Sequence, residues 1–172
     1  MNFSMIVAMD ENRGIGFENG IPWKLPTDMK NFKTVTTTTR APKKMNAVIM
    51  GRKTWESIPK KFRPLPDRLS IILSRNIQQD SLLGMLVADS LENALKLAEA
   101  HGVEEVFVIG GEQIYKEAIK SPDCQVLYVT EICSKFNCDA HFPDFKEQFK
   151  LVDHGETITE NGVPFVFCQY TR

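Results

Sequence analysis

Apolar and β-branched residues recur along the chain in short continuous runs, at 3–9, 47–50, 69–73, 85–88, 106–109, 126–130, 150–159 and 165–170. Continuous runs, rather than an in–out alternation, are the pattern of strands buried on both faces, and helical spacing fills several of the intervals. The clearest such interval is SLENALKLAEAHG, with Ser90 as N-cap, Leu91, Ala94, Leu95 and Ala98 on one face, and Gly102 as terminator. The pattern predicts an α/β domain with a mostly parallel sheet covered by helices on both faces. Between the last two runs lies TENGVP, whose Asn161-Gly162 pair predicts a hairpin and therefore an antiparallel C-terminal strand.

A helical stretch also follows the first strand. IPWKLPTDMKNFK, residues 21–33, places Pro26 in a first turn, and at about 100° per residue Leu25, Met29 and Phe32 share a stripe. Asp28 falls about 40° from Phe32 on that wheel, on or beside the apolar side. An acid in a first turn is favourable to the helix dipole. On the apolar side it also needs a polar partner, because unpaired burial is costly. Decoration of a helix start and a substrate-facing acid both remain open. The following TVTTTTRAPKKMN, 34–46, predicts a solvated loop with a basic end, since four consecutive threonines and Pro42 oppose a helix.

Length and charge narrow the classes. A chain of 172 residues fits one domain spanning 1–172, and a net charge of −1 offers no global footprint for nucleic acid or an anionic membrane. No apolar stretch reaches the ~20 residues of a membrane span, and no secretory signal precedes the first strand. Cys133, Cys138 and His141 lack an evident fourth ligand, so the four cysteines read as reduced thiols and no metal is expected. These features predict a soluble, cytoplasmic protein, with monomer as the default.

Any anion site must then be local, and two corners are suited to one. In AVIMGRKTWESIP a strand meets Gly51, followed by Arg52, Lys53 and Thr54 at a helix start. In VFVIGGEQIY a strand runs into Gly110-Gly111 before a helix beginning at Glu112 or Gln113. Helix N–H groups beside a glycine corner suit a phosphate, although Gly-Gly alone also makes a simple tight turn. A third strand ends in LSR, placing Arg75 at the same sheet edge, where ligands of open α/β sheets bind. Together the corners predict a phosphorylated cofactor. GIGFENG lacks the third glycine of G-x-G-x-x-G and runs into Pro22, and no G-x-x-x-x-G-K-[ST] occurs, so neither a Rossmann fingerprint nor a P-loop is present.

The segments IVAMDENRGIGFENGIPWKLPTDMKNFK, VIMGRKTWESIP, RPLPDRLSIILSR, VFVIGGEQIY, LYVTEI and CDAHFPDF, in that order and spacing, resemble the dihydrofolate reductase family from end to end. The resemblance implies a central eight-stranded sheet with an antiparallel C-terminal strand and an adenosine-binding subdomain at about 46–102. It implies an NADPH-dependent enzyme that reduces dihydrofolate to tetrahydrofolate, a small-molecule substrate serving one-carbon and thymidylate metabolism. Asp28 would pair with the pterin 2-amino group and N3, and Thr130 with that carboxylate or the pterin. Ile6, Val7, Phe32, Ile58, Leu65 and Ile109 would line the pterin and benzoyl pocket, and Arg68 would hold the α-carboxylate of the glutamate tail.

On the cofactor side the resemblance implies Ala8, Ile15, Gly16 and Trp23 beside the nicotinamide. Gly110, Gly111 and Gln113 would lie at the pyrophosphate, with a cis peptide between the glycines. Lys53, Thr54 and Arg75 would hold the adenosine phosphates, Lys53 and Arg75 selecting NADPH over NADH. Gly51, Arg52, Leu73, Ser74, Ile109, Glu112, Ile114 and Tyr115 complete that set. Hydride would pass from nicotinamide C4 to substrate C6, with a proton added at N5 by water admitted near Ile21 and Trp23. Asp28 would orient the ring and raise N5 basicity rather than donate directly. The loop at 13–24 would gate the nicotinamide, held when closed by Asp139. Ile21 departs from the Met or Leu commoner at the loop tip, and the 34–46 and 60–62 segments are longer than in the shortest bacterial members. Two other readings are a pyrimidine reductase of riboflavin synthesis on the same scaffold and a non-catalytic folate-binding module. Asp28, Phe32 and Arg68 favour a folate over the first, and the complete GIGFENGIPW loop argues against the second.

Overall fold

The computed structural model describes residues 1–76 and 84–172; of the implied 46–102 subdomain, 77–83 therefore lie outside the described residues. The central strand, β1 (Phe3–Met9), is flanked by β7 (Cys124–Ile132) and β6 (Val106–Val108), both parallel to it. Beyond β6 come β3 (Asn46–Gly51), β4 (Arg68–Leu73) and β5 (Leu86–Ala88), all parallel. Beyond β7 lies β11 (Val163–Thr171), antiparallel, whose far edge is shared end to end by β9 (Lys150–His154) and β10 (Ile158–Glu160). Among the described residues the sheet order is thus β10-β11-β7-β1-β6-β3-β4-β5 with β9 also paired to β11, in line with β10, which is the expected eight-position, mostly parallel sheet with antiparallel C-terminal strands. Asn161 and Gly162 take φ of 51° and 74°, as a tight hairpin between β10 and β11 requires. A small second sheet, not anticipated from periodicity, pairs β2 (Gly14–Gly16) with β8 (Ala140–His141).

Helices cover both faces. On one, α1 (Pro26–Thr37) and α2 (Arg52–Ser57) pack Phe32, Val35 and Trp55 against Ile6, Val48, Met50, Ile72 and Phe107. On the other, α3 (Leu91–Ala100) and α4 (Glu112–Ala118) bury Leu91, Ala94, Ala98, Tyr115 and Ala118 against Met5, Val7, Ile49 and Ile71. Strand residues therefore alternate between two cores, which explains their continuous apolar sequence. α3 starts as its sequence predicts: Ser90 Oγ accepts from Asn93 N at 3.1 Å, and Gly102 follows the helix at φ 67°. Ser90→Ala is expected to cost about 1 kcal/mol and to lower the melting temperature by roughly 2–4 °C in calorimetry. No helix among the described residues is long and apolar enough to cross a membrane.

Two local expectations are corrected. The helix does not stop before the threonines, because α1 continues to Thr37. Thr36, Thr37 and Thr38 donate their hydroxyls to the carbonyls of Phe32, Lys33 and Thr34 at 2.6–2.7 Å, so each β-branched side chain bonds to its own helix rather than disrupting it. Thr36 is also fully buried, not solvated. Met29 is not part of the inward stripe but is 71% exposed. The covered side of α1 runs through Asp28, Phe32 and the adjacent Val35 and Thr36, with steps of four and then three or four residues.

Candidate active site

Among the described residues the sheet has one place where its chain direction changes sides. Strands from β3 to β5 build outward from one side of β1, whereas β7 and β11 build from the other, so the switch lies between β1 and β6. These two strands pair only at Ser4–Phe107 and Met5–Val108. Past that point the Ile6 carbonyl accepts instead from the Tyr115 hydroxyl at 2.7 Å. Burial holds this phenol far above its ordinary pKa, so it remains a donor. A crevice at a switch point, beyond the carboxyl ends of the strands, is where open α/β sheets bind ligands.

Asp28, in the first turn of α1, faces β7 on the other side of β1. Thr130, at the buried end of β7, donates its hydroxyl to Asp28 Oδ1 at 2.6 Å. The Asp28 pKa is raised, chiefly by burial and further by the charge of Glu160, against the lowering effect of the Thr130 bond. Thr130→Val removes the group that favours the ionised form, so the Asp28 carboxyl is expected to titrate at higher pH. A carbon-13 NMR titration of the carboxyl checks the direction.

The residues named for the pterin and benzoyl pocket mostly converge. Ile6, Phe32, Ile58, Leu65 and Ile109 belong to one apolar cluster under α1 and α2. Val7 does not join them: it is the next residue along β1, and its side chain packs in the opposite core. Arg68 opens β4 at the far end of the cluster, only 7% exposed, with its guanidinium over the Phe32 ring at 5.8 Å. Its Nε donates to Pro66 O at 2.9 Å and its Nη1 to Thr36 Oγ1 at 3.0 Å, bonds that use part of its fork of donors. Burial lowers the Arg68 pKa, and the Asp67 charge opposes that.

The glycine corners meet as well. Gly51 N donates to Gly110 O at 2.9 Å, joining the ends of β3 and β6, and the Gly110–Gly111 peptide is cis. A Cβ at Gly111 would lie 3.2 Å from Thr54 Oγ1, and one at Gly51 3.2 Å from Ile114 Cγ1, so the corner depends on bare backbone. Arg52, Lys53, Arg75 and Gln113 are exposed around it, Arg52 within 3.6 Å of Glu56. Ser74 N bonds Ala88 O at 2.9 Å, whereas the Leu73 side chain points into the opposite core. Glu112 is turned away, with Oε1 accepting from His141 N at 3.1 Å. Bare backbone, helix starts and cations are a donor set that fits a dinucleotide phosphate.

The loop after β1 closes the third side. Ile15 packs on the main core, Gly16 accommodates the Gly20 carbonyl at 3.0 Å from where a Cβ would be, and Ala8 packs with Trp23, whose ring meets Phe136 edge-on at 5.3 Å. Ile21 is 66% exposed at the loop's tip. Asp139 Oδ2 accepts from Glu18 N at 3.0 Å. Sequence reasoning missed Asp10, a buried carboxylate that accepts from Asn12 N, Gly14 N and Phe136 N at 2.7–2.9 Å and so ties both ends of this region together. Its signal was the turn-forming DENRG run. Thr36 and Glu160 were also missed.

Comparison with known proteins converges on one family. The family model described as "Dihydrofolate reductase" matches residues 2–172. The chain is 41% identical to "Dihydrofolate reductase" of Drosophila melanogaster over 97% of this chain and 96% of that one. It is 43% identical to "Dihydrofolate reductase" of Schistosoma mansoni over 99% and 96%. It is also 46% identical to "Bifunctional dihydrofolate reductase-thymidylate synthase" of Zea mays, over 99% of this chain but 34% of that longer protein. This chain belongs to the dihydrofolate reductase family.

Proposed function

We propose that this protein catalyses NADPH-dependent reduction of dihydrofolate to tetrahydrofolate. The observation that carries this reading is the Asp28–Thr130 pair, a desolvated acid with one neutral donor at the edge of an apolar crevice ended by Arg68. Such an acid at one end and a guanidinium at the other are complementary to a flat heterocycle that presents adjacent N–H donors, joined to a portion that ends in a carboxylate.

Asp28 accepts from the pterin N3 and 2-amino group, with Thr130 completing the carboxylate's partners. Phe32, Ile6, Ile58, Leu65 and Ile109 cover the ring and benzoyl portion, and Arg68 pairs with the α-carboxylate of the tail. NADPH, when bound, supplies the hydride that reduces substrate C6. Gly51, Gly110, Gly111, Thr54 and Gln113 would hold its phosphates, with Lys53 and Arg75 taking the adenosine side of the 46–102 region. Ala8, Ile15, Gly16 and Trp23 would shape the nicotinamide end, and the loop tip at Ile21 would control water access to N5. The anchoring oxygen of Asp28 serves orientation and raises N5 basicity, and water delivers the proton.

The test is to mix the purified protein with NADPH and dihydrofolate and follow loss of nicotinamide absorbance. Turnover is expected with NADPH and much less with NADH; no turnover with either overturns the proposal.

A further inference from the structure

α1 begins without a cap of its own. Leu25 occupies its N-cap position and supplies no side-chain acceptor, so the first-turn donors need a partner from elsewhere. Glu160, at the end of β10, provides it: Oε1 accepts from Thr27 N at 2.9 Å and Oε2 from Thr27 Oγ1 at 2.5 Å. The neighbouring Asn161 Nδ2 donates to Lys24 O at 2.9 Å, so the hairpin holds the chain on both sides of Pro26. Asp28 is the residue after Thr27 and turns the other way, to Thr130 on β7. Glu160 on β10 and Thr130 on β7 thus hold successive residues of one helical turn from different strands of the sheet. Capping alone does not call for a second carboxylate there, since like charges in proximity disfavour each other.

We propose that Glu160 is a positioning residue for Asp28: its bidentate hold on Thr27 sets the first turn of α1 so that the Asp28 carboxylate meets Thr130, and its charge lies behind the acid that anchors substrate. This rests on the reading of Asp28 given above. The raised Asp28 pKa agrees with the placement, burial being its largest cause and Glu160 adding to it. Among the described residues, the other charged or titratable groups on the surrounding elements are Lys24 before the helix, Lys30 and Lys33 on α1, Cys124, Tyr128 and Glu131 on β7, Cys168 and Tyr170 on β11, and Arg68 on β4. β1 and β3 carry none. The lysines are exposed, Glu131 accepts from Tyr170, and Arg68 lies beside Phe32 one turn further along.

Glu160→Gln keeps an acceptor for Thr27 and removes the charge, whereas Glu160→Ala removes both. The Asp28 carboxyl is titrated by carbon-13 NMR in the ligand-free protein, its resonance identified by its loss in Asp28→Asn. Hydride transfer is followed against pH in parallel. In Glu160→Gln the Asp28 midpoint is expected to fall by about half a pH unit, the size of one screened charge nearby. The high-pH limb of hydride transfer should move the same way, with little change in melting temperature. In Glu160→Ala, kcat/KM for dihydrofolate is expected to fall roughly tenfold as the anchor loses its register. A Glu160→Gln titration that superimposes on the wild type's, or a Glu160→Ala variant with wild-type kcat/KM, overturns the proposal. Absence of wild-type turnover would overturn the reading of the site itself, and the NMR titration would still judge the contact between the two acids.

Discussion

Asp28→Asn is expected to lower hydride transfer at neutral pH by at least about a hundredfold, the range for losing a positioned ionisable group. Cofactor affinity should stay near that of the wild type, because the glycine corners are remote from the change. Activity should recover partly as pH falls, since substrate N5 then takes its proton from solution without help from the carboxylate. Rapid-mixing measurements of hydride transfer across pH check all three points, and wild-type behaviour at neutral pH would remove Asp28 from the site.

The same variant should be more stable than the wild type at neutral pH. The folded-state pKa of Asp28 is raised above its ordinary value of 3.8, so the folded protein holds this proton more tightly than the unfolded chain does. Below the unfolded value both states are protonated and the group makes no difference. As pH rises from there through the folded value, ionisation favours the unfolded chain and stability is lost. Asparagine avoids that loss, so the gap between variant and wild type should open with rising pH and close towards about pH 4. Denaturant melts at several pH values measure it. Gain of stability with loss of function is the behaviour of a group placed for chemistry.

The second large effect is expected at Arg68. Arg68→Gln should raise KM for dihydrofolate about ten- to hundredfold, the value of a charge-assisted pair with a carboxylate, while kcat changes less. A dihydropterin without the benzoylglutamate tail offers no carboxylate, and variant and wild type should reduce it at similar rates. If the tail-less substrate suffers equally, Arg68 serves the fold and not the tail. Thr36 sharpens the comparison, because its hydroxyl orients Nη1 from within the helix. Its loss should give a smaller version of the same substrate-dependent defect.

Much of this arrangement is legible in local sequence. Continuous apolar runs locate the strands, since a doubly covered strand has no polar side to show. Ser90 and Gly102 bound α3, and Asn161-Gly162 makes the final hairpin, because caps and turns are governed by the residues that form them. The glycine corners stand out for the same reason, as bare backbone at a strand end. The helical wheel placed Asp28 on the covered side, and the structure agrees, but it placed Met29 there too, which is exposed. A wheel fitted to so few apolar residues cannot fix the direction of a face when threonine and aspartate belong to it.

The remaining features arise from packing between distant segments. The threonine run reads as a helix breaker by propensity, yet Thr36 is buried in α1 because Arg68 and Asn46 bond to it from other elements. Glu160 and Thr27 are 133 positions apart, and nothing near either residue announces their contact. Periodicity and turn chemistry therefore settled most of the strands of the main sheet, the helix α3 and the corners, since those depend on neighbours within a turn or two, but not the end of α1 or the small β2–β8 sheet. Which acid meets Thr130, which hydroxyl steadies Arg68 and which hairpin caps α1 were decided only when the sheet brought its strands together, because a buried polar group takes its partner from whatever the fold places beside it.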